Sequence, residues 1–583
     1  MATLLLITVL LPLAGSLALF LMPRLDHRSA RVVALGTALA TLFLTTILLF
    51  AFRSGVSGPQ FSFVDSDGQL GLTWMDPPGI RFALGLDGLS IWLFALTSLL
   101  MITSIFASWE SITDRAPMHY AFLLALETGL LGLFASLDVV LFYIFFEFTL
   151  IPLFFLIGIW GGTERRRAAV TFFLYTLAGS LLTLLGVIGL VAILYYHSPD
   201  HVLTFSMPEL TRGLAALNWP EWKTATPGWT SPQVLIFLLL FAGFAIKVPM
   251  FPFHTWLPLA HVEAPAAGSI LLAGVLLKVG SYGLMRFNLG MTPFGAYALM
   301  PALTALAVIG VLYGAFAALA QSDVKRLVAY SSVSHMGFIV LGLFSQTRTG
   351  VDGASIQMIN HGLTTGALFA CVGVLYERYH TREMSEIGGL WERLPLLAFF
   401  LILASLGSAA VPGLNGFVGE FPILAGTYVR NSRAAVLASL GMILGAYYLL
   451  WMLQRVLFGP LHEPHGDDHD HGGHHAPASA VSHAVRPVGW HEIAGLTPLM
   501  VLIVLIGVYP SPILKTLSPI GASLVAPTER HEAEELERQL MSPPGSGSDN
   551  REPPRDVIGA QKSPVRPTSA PTPGERVASS REP

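Results

Sequence analysis

Apolar runs of about twenty residues, parted by short polar links, recur along most of this chain. A run of that length matches the hydrocarbon thickness of a bilayer when it is helical. The pattern predicts an all-α polytopic membrane protein of about fourteen transmembrane helices, near 2–22, 30–52, 86–109, 118–136, 138–160, 168–196, 233–258, 266–290, 296–320, 324–346, 354–379, 395–429, 433–458 and 491–510. The short links at 111–117 and 161–167 predict antiparallel neighbours. The first run follows no positively charged segment, so it is expected to be a first span and not a cleaved signal peptide.

Two of these spans contain helix breakers. In AIKVPMFPFHTWLP, Pro249 and Pro252 lack the N–H groups that the carbonyls of Ala245 and Val248 would use; in SAAVPGLNGFVGEF, Pro412 does the same to Ser408 and Gly413 loosens the next turn. Such breaks survive at membrane depth only where protein or water satisfies the backbone. They fall in the seventh and twelfth spans, each fourth in a five-helix block, 118–290 and 296–458. An odd block length makes the two blocks opposite in topology, which predicts two inverted five-helix repeats. Around them lie spans 1–3 in 1–117, a loop over 459–490, the last span over 491–510 and a tail over 511–583. The loop carries His462, His465, His469, His471, His474, His475 and His483, read as a solvated low-complexity segment with metal binding as the lesser alternative. The tail is rich in Pro, Ser, Arg and Glu, and is expected to be disordered.

Composition agrees. The chain is 53% hydrophobic and 12% charged, with a mean hydropathy of +0.62. No strong basic patch points to nucleic acid, and the lipid bilayer is the expected surrounding. One set of alternate loops holds fourteen Lys and Arg residues against eight in the other, so the first set is expected in the cytoplasm and both termini outside. Cys371 is the only cysteine, too few for a thiolate-bound cluster or an internal disulfide, and no nucleotide-binding glycine motif stands in a suitable context. Any redox chemistry therefore belongs to other chains.

Against this background four charges stand out: Glu147, Lys247, Lys278 and Glu420, all within apolar runs. A charge at the bilayer centre costs at least roughly 2.5 to 3.5 kcal/mol, and such residues usually mark ion paths. Glu147 is the natural partner of Lys247, which lies beside the first break; contact at 4 Å is worth roughly 4 kcal/mol at an effective dielectric near 20. Opening that pair would switch Lys247 from holding to releasing a proton; a static ion pair is the alternative. Lys278 is central in its own span, and Glu420 follows the second break. His335 and His361 lie in apolar spans, where a neutral imidazole either passes protons or makes a structural hydrogen bond. His254 and His261 read as mouth or packing residues, Glu127 as a further intramembrane carboxylate, and Asp87 as the N-cap of the third span.

The segments FFEFTLIPLFFLIGIWGG, KVPMFPFHTWLPLAHVEAP, LLKVGSYGLMRF, YSSVSHMGF and GLNGFVGEF resemble the antiporter-like membrane subunits of respiratory complex I, NADH:quinone oxidoreductase, and its subunit M branch above all. The likeness covers about residues 1–510. It implies the fourteen-helix fold with inverted repeats, and a proton relay through Glu147, Lys247, Lys278, His335, His361 and Glu420. It also implies L-type and N-type antiporter-like partners and a bacterial cytoplasmic (inner) membrane. No cofactor is expected in this chain; NADH, FMN, iron–sulfur clusters and quinone would belong to partner subunits. Glu420 is a discriminator, because L- and N-type chains and cation/proton antiporters generally carry lysine there. Two departures stand out: Leu259 replaces the acid of the familiar WLPDAH pattern, with Glu263 as a candidate substitute, and no long lateral helix is expected after the last span. The function implied is proton translocation coupled to quinone reduction in partner subunits; the alternative is a subunit of a multisubunit cation/proton antiporter or a membrane-bound hydrogenase.

Overall fold

The computed structural model describes residues 1–56, 58–199, 201, 203–217, 231–463 and 485–541. Among them, twelve helices are long and apolar enough to cross a membrane, from Ala2–Leu21 to Trp490–Val508. Two shorter apolar helices, Pro232–Lys247 and Pro395–Ser408, are the first halves of the interrupted seventh and twelfth spans; Trp256–Glu263 and Asn415–Arg430 continue them. Burial sorts the helices by neighbour. Ala266–Leu289, Val324–Phe344 and Arg348–Tyr379 are almost wholly enclosed, while Ala2–Leu21 and His27–Ala51 present apolar side chains outward. A helix apolar on all sides and enclosed by others is a core helix, and these three bury Lys278, His335 and His361 among their polar residues.

Caps set the helix ends. Asp87 accepts from the backbone N–H groups of Leu89 (3.1 Å) and Ser90 (3.0 Å) at the start of the third span, as expected, and also pairs with Arg286 of the eighth. A short antiparallel hairpin, Leu72–Met75 with Ile80–Phe82, occupies the long link before it.

The expected disorder of the tail is corrected over residues 511–541. Ser511–Met541 is one 31-residue helix. Its first part carries buried Ile513, Leu517 and Val525 at helical spacing, a face that rewards folding despite Pro519 and Pro527. Polar contacts pin it: the Trp92 indole donates to the Thr516 hydroxyl (2.5 Å), Ser518 donates to Asp352 (2.9 Å), and Thr528 donates to Gln346 (2.7 Å). Residues 542–583 and the histidines from His465 to His483 lie outside the described residues.

The last long span is fastened by a buried ion pair. Arg378 donates to both oxygens of Glu492, at 2.8 and 2.7 Å, and both side chains are 5% exposed. Glu492 also accepts the Gly489 N–H at 2.6 Å. Beside it, Arg486 donates to Glu110 and holds that carboxyl below its usual range, so this contribution is present at neutral pH and fades on strong acidification. Arg378→Ala strands a buried carboxylate and should cost about 3–5 kcal/mol, read as a lowered melting temperature of the assembled protein in detergent.

Candidate functional site: a buried line of polar groups

Both breaks are built as the same turn. In the seventh span the Met250 N–H reaches back five residues to the Ala245 carbonyl (2.9 Å); in the twelfth, Val411 N–H reaches Leu406 (3.2 Å). This is the bond that closes a helix with a left-handed residue after it, and Ala410 has φ +54°. The second bond of that motif runs from Ala410 N–H to the Gly407 carbonyl (3.3 Å). Its counterpart would come from Pro249, which has no N–H. The Trp256 indole replaces it, donating to the Ile246 carbonyl at 3.0 Å. Lys247 and Ser408 therefore occupy the same position, the last helical residue before the break.

Lys247 is 2% exposed, and its Nζ lies 4.3 Å from the centre of the Phe146 ring. It makes no ion pair with Glu147: Nζ and Glu147 Oε1 are both buried without a hydrogen-bond partner. The expected contact is thus open in this structure, and the ammonium seat is an aromatic face one residue away, an attraction worth roughly 2 kcal/mol when desolvated.

The eighth span is not a regular α-helix. Leu272–Leu276 and Leu284–Leu289 are π-helical, on either side of Lys278. A π segment widens the turn and frees carbonyls, a distortion frequent at functional sites. Here Lys278 donates to the Ala273 carbonyl five residues back, and its Nζ lies 2.7 Å from His361 Nδ1. The His361 ring is 5.6 Å, centre to centre, from that of His335. His335 Nδ1 lies 2.7 Å from Glu420 Oε1, and its Nε2 lies 3.2 Å from Ser408 Oγ. Lys278, His361, His335 and Glu420 thus form one line across the core, all at most 4% exposed.

Sequence reasoning missed its supports. Gln357 donates to Glu420 Oε1 at 3.0 Å. Asn360 and Asn415 donate to each other's backbone carbonyls, at 2.7 and 3.2 Å, and clamp the twelfth span to the eleventh. The signal was available: Gln357, Asn360, His361 and Thr364 follow i, i+3, i+4, i+7 on one helix face. Glycines admit the close approach. A Cβ on Gly416 would lie 2.1 Å from the Gly407 carbonyl oxygen, and one on Gly419 2.1 Å from Gln357 Oε1.

The other candidates disperse. Glu127 is fully buried, and neither carboxylate oxygen has a hydrogen-bond partner. His254 packs against Phe251 and Tyr313, and His261 stacks on Phe369 at 4.5 Å. Glu263 accepts the Glu164 N–H at 2.9 Å and lines a cavity of about 250 Å³ with Glu377, Lys325 and Arg382. No metal-ligating cluster is present among the described residues.

Discontinuous helices around a buried line of lysine, histidine and carboxylate are the architecture of antiporter-like membrane subunits. The chain belongs to the family of membrane subunits described as "NADH:quinone oxidoreductase/Mrp antiporter, TM", whose model matches residues 136–445. It is 40% identical over 529 residues to NADH-quinone oxidoreductase subunit M of Rhodobacter capsulatus, covering 90% of this chain and 97% of that one. It is 37% identical to NADH-ubiquinone oxidoreductase chain 4 of Chondrus crispus, covering 88% and 96%. Among solved structures, a chain of respiratory complex I from Thermus thermophilus with bound NADH matches with TM-score 0.75 and 30% identity, over 90% of this chain and 99% of that one. A chain of the Mrp complex from Dietzia matches with TM-score 0.72 at 19% identity over 91% and 99%, which shows the shared fold.

Gly416→Ala places a methyl group against backbone that cannot rotate away. It should cost about 1–3 kcal/mol and loosen the Glu420 end of the line. Faster amide hydrogen exchange over residues 415–430, with exchange over 90–107 unchanged, would report it.

Proposed function

We propose that this chain is a proton-translocating membrane-arm subunit of an NADH:quinone oxidoreductase in a bacterial cytoplasmic membrane, beside L-type and N-type antiporter-like subunits. NADH, FMN, iron–sulfur and quinone chemistry then belongs to partner subunits. Each interrupted pair counts as one crossing, which gives fourteen and leaves both termini outside. The identical turn at the two breaks supports the reading of two inverted repeats.

One observation carries the mechanism: the unbroken approach of Lys278, His361, His335 and Glu420. An amine, two imidazoles and a carboxylate are groups that take and give protons, and here they stand close enough for transfer directly or through one intervening water. Buried polar atoms without protein partners line the same region, including His361 Nε2, Gln357 Oε1 and the Asn360 and Asn415 Oδ1 atoms; such atoms are ordinarily satisfied by internal water. The Glu147–Lys247 pair is the switch. When it closes, Lys247 is held charged. When it opens, the Phe146 face replaces only part of the carboxylate's attraction, and the ammonium gives up its proton toward Lys278 more readily. Charge shifts initiated by quinone reduction would bias that opening. The coupling must be reciprocal, so proton back-pressure opposes electron transfer. Ser408 takes the matching position in the second half, where its hydroxyl orients His335 and leaves Glu420 as the terminal acceptor.

In the assembled complex, Lys278→Ala and Glu147→Gln should sharply lower the number of protons moved per NADH oxidised in sealed vesicles. Electron transfer from NADH to a soluble acceptor that bypasses quinone should stay near wild type. Wild-type pumping by both variants would rule out the relay. Redox-independent Na⁺/H⁺ exchange by the same vesicles would favour the antiporter reading.

A further inference from the structure

On the face where the second span ends and the third begins, a cavity of about 670 Å³ opens beneath the helix that follows the last span. Its volume lies in the range of pockets that hold small molecules, roughly 300–1,000 Å³. Its charge is one-sided. Arg53, Arg212 and Arg286 line it against one acid, Asp87, which is already paired with Arg286. Among the described residues neither the Arg53 nor the Arg212 guanidinium makes an ion pair, and that of Arg212 bonds to its own helix, from Nε to the Pro208 carbonyl at 3.3 Å. Ser90 and Thr516 add hydroxyls, while Val56 and Leu524 give the walls apolar character.

We propose that this cavity binds a phosphate-bearing anion, with an anionic phospholipid headgroup or free inorganic phosphate as its source. Two guanidiniums without acid partners present planar, always-charged donor forks suited to phosphate oxygens. The polar floor with apolar walls fits a group that is charged at one end and greasy at the other. Because the helix Ser511–Met541 contributes Thr516, Ser523 and Leu524, occupancy ties that helix to the second, third and eighth spans. Tyr282 and Arg286 line the same cavity and lie one and two turns beyond Lys278 on its own span, so the site reports on the outer end of the relay helix.

The test uses the assembled complex, stripped of lipid and titrated in detergent with a fluorescent phosphatidylglycerol, and in a second arm with inorganic phosphate. Wild type should bind at least one of the two saturably. Arg53→Gln/Arg212→Gln removes two charge-assisted bonds, each worth at least about a factor of ten, and should weaken that binding about a hundredfold. Leu524→Trp narrows the cavity, changes no charge and should weaken it too. Binding of phosphatidylglycerol alone identifies a headgroup site; binding of phosphate, displaced by the lipid, identifies a free-anion site. No saturable binding of either ligand by wild type, or wild-type affinity in either variant, overturns the assignment.

Discussion

A helix interrupted inside a bilayer strands backbone carbonyls where no lipid can satisfy them, and the whole polar core follows from how this chain meets that constraint. Each break closes on itself by a five-residue reach, Met250 to Ala245 and Val411 to Leu406. Pro249 forfeits one bond of that closure, and a tryptophan indole restores it. Once the carbonyls are held, the last helical residue before each break can be polar. In one half that residue is a lysine, in the other a serine. The difference sets a buried amine at one break and a hydroxyl beside an imidazole at the other.

The enclosing helices make this arrangement affordable. Ala266–Leu289, Val324–Phe344 and Arg348–Tyr379 are shielded from lipid by their neighbours, so their polar side chains face protein and not hydrocarbon. Proximity then depends on missing side chains. Without Gly416 and Gly419 the twelfth span could not come close enough for Glu420 to reach His335 and Gln357.

Much of this was legible in the sequence. Hydrophobic run length gave the spans, the proline and glycine pairs located both breaks, and the depth of Glu147, Lys247, Lys278 and Glu420 marked the path. The histidines were ambiguous, because an imidazole in an apolar run looks alike as relay or as packing; only the 2.7 Å contacts of His361 and His335 set them apart from His261 and His254. The open Glu147–Lys247 pair could not be read from spacing, since it depends on a ring face beside the carboxylate. The π segments around Lys278 follow from packing and carry no local signature. The helix Ser511–Met541 was hidden by its prolines and charges, although Ile513, Leu517, Leu524 and Val525 already traced a face.

The contact between Lys278 and His361 limits how the line can be filled. Two basic nitrogens 2.7 Å apart share a hydrogen bond only if one of them has a lone pair to offer. Both cannot be fully protonated while the bond lasts. At the other end the constraint is looser, because the Glu420 carboxyl group keeps an acceptor oxygen for His335 even when protonated. The Lys278–His361 pair therefore carries at most one positive charge while the contact stands, which makes the spacing of two side chains a limit on the charge held at this point of the core.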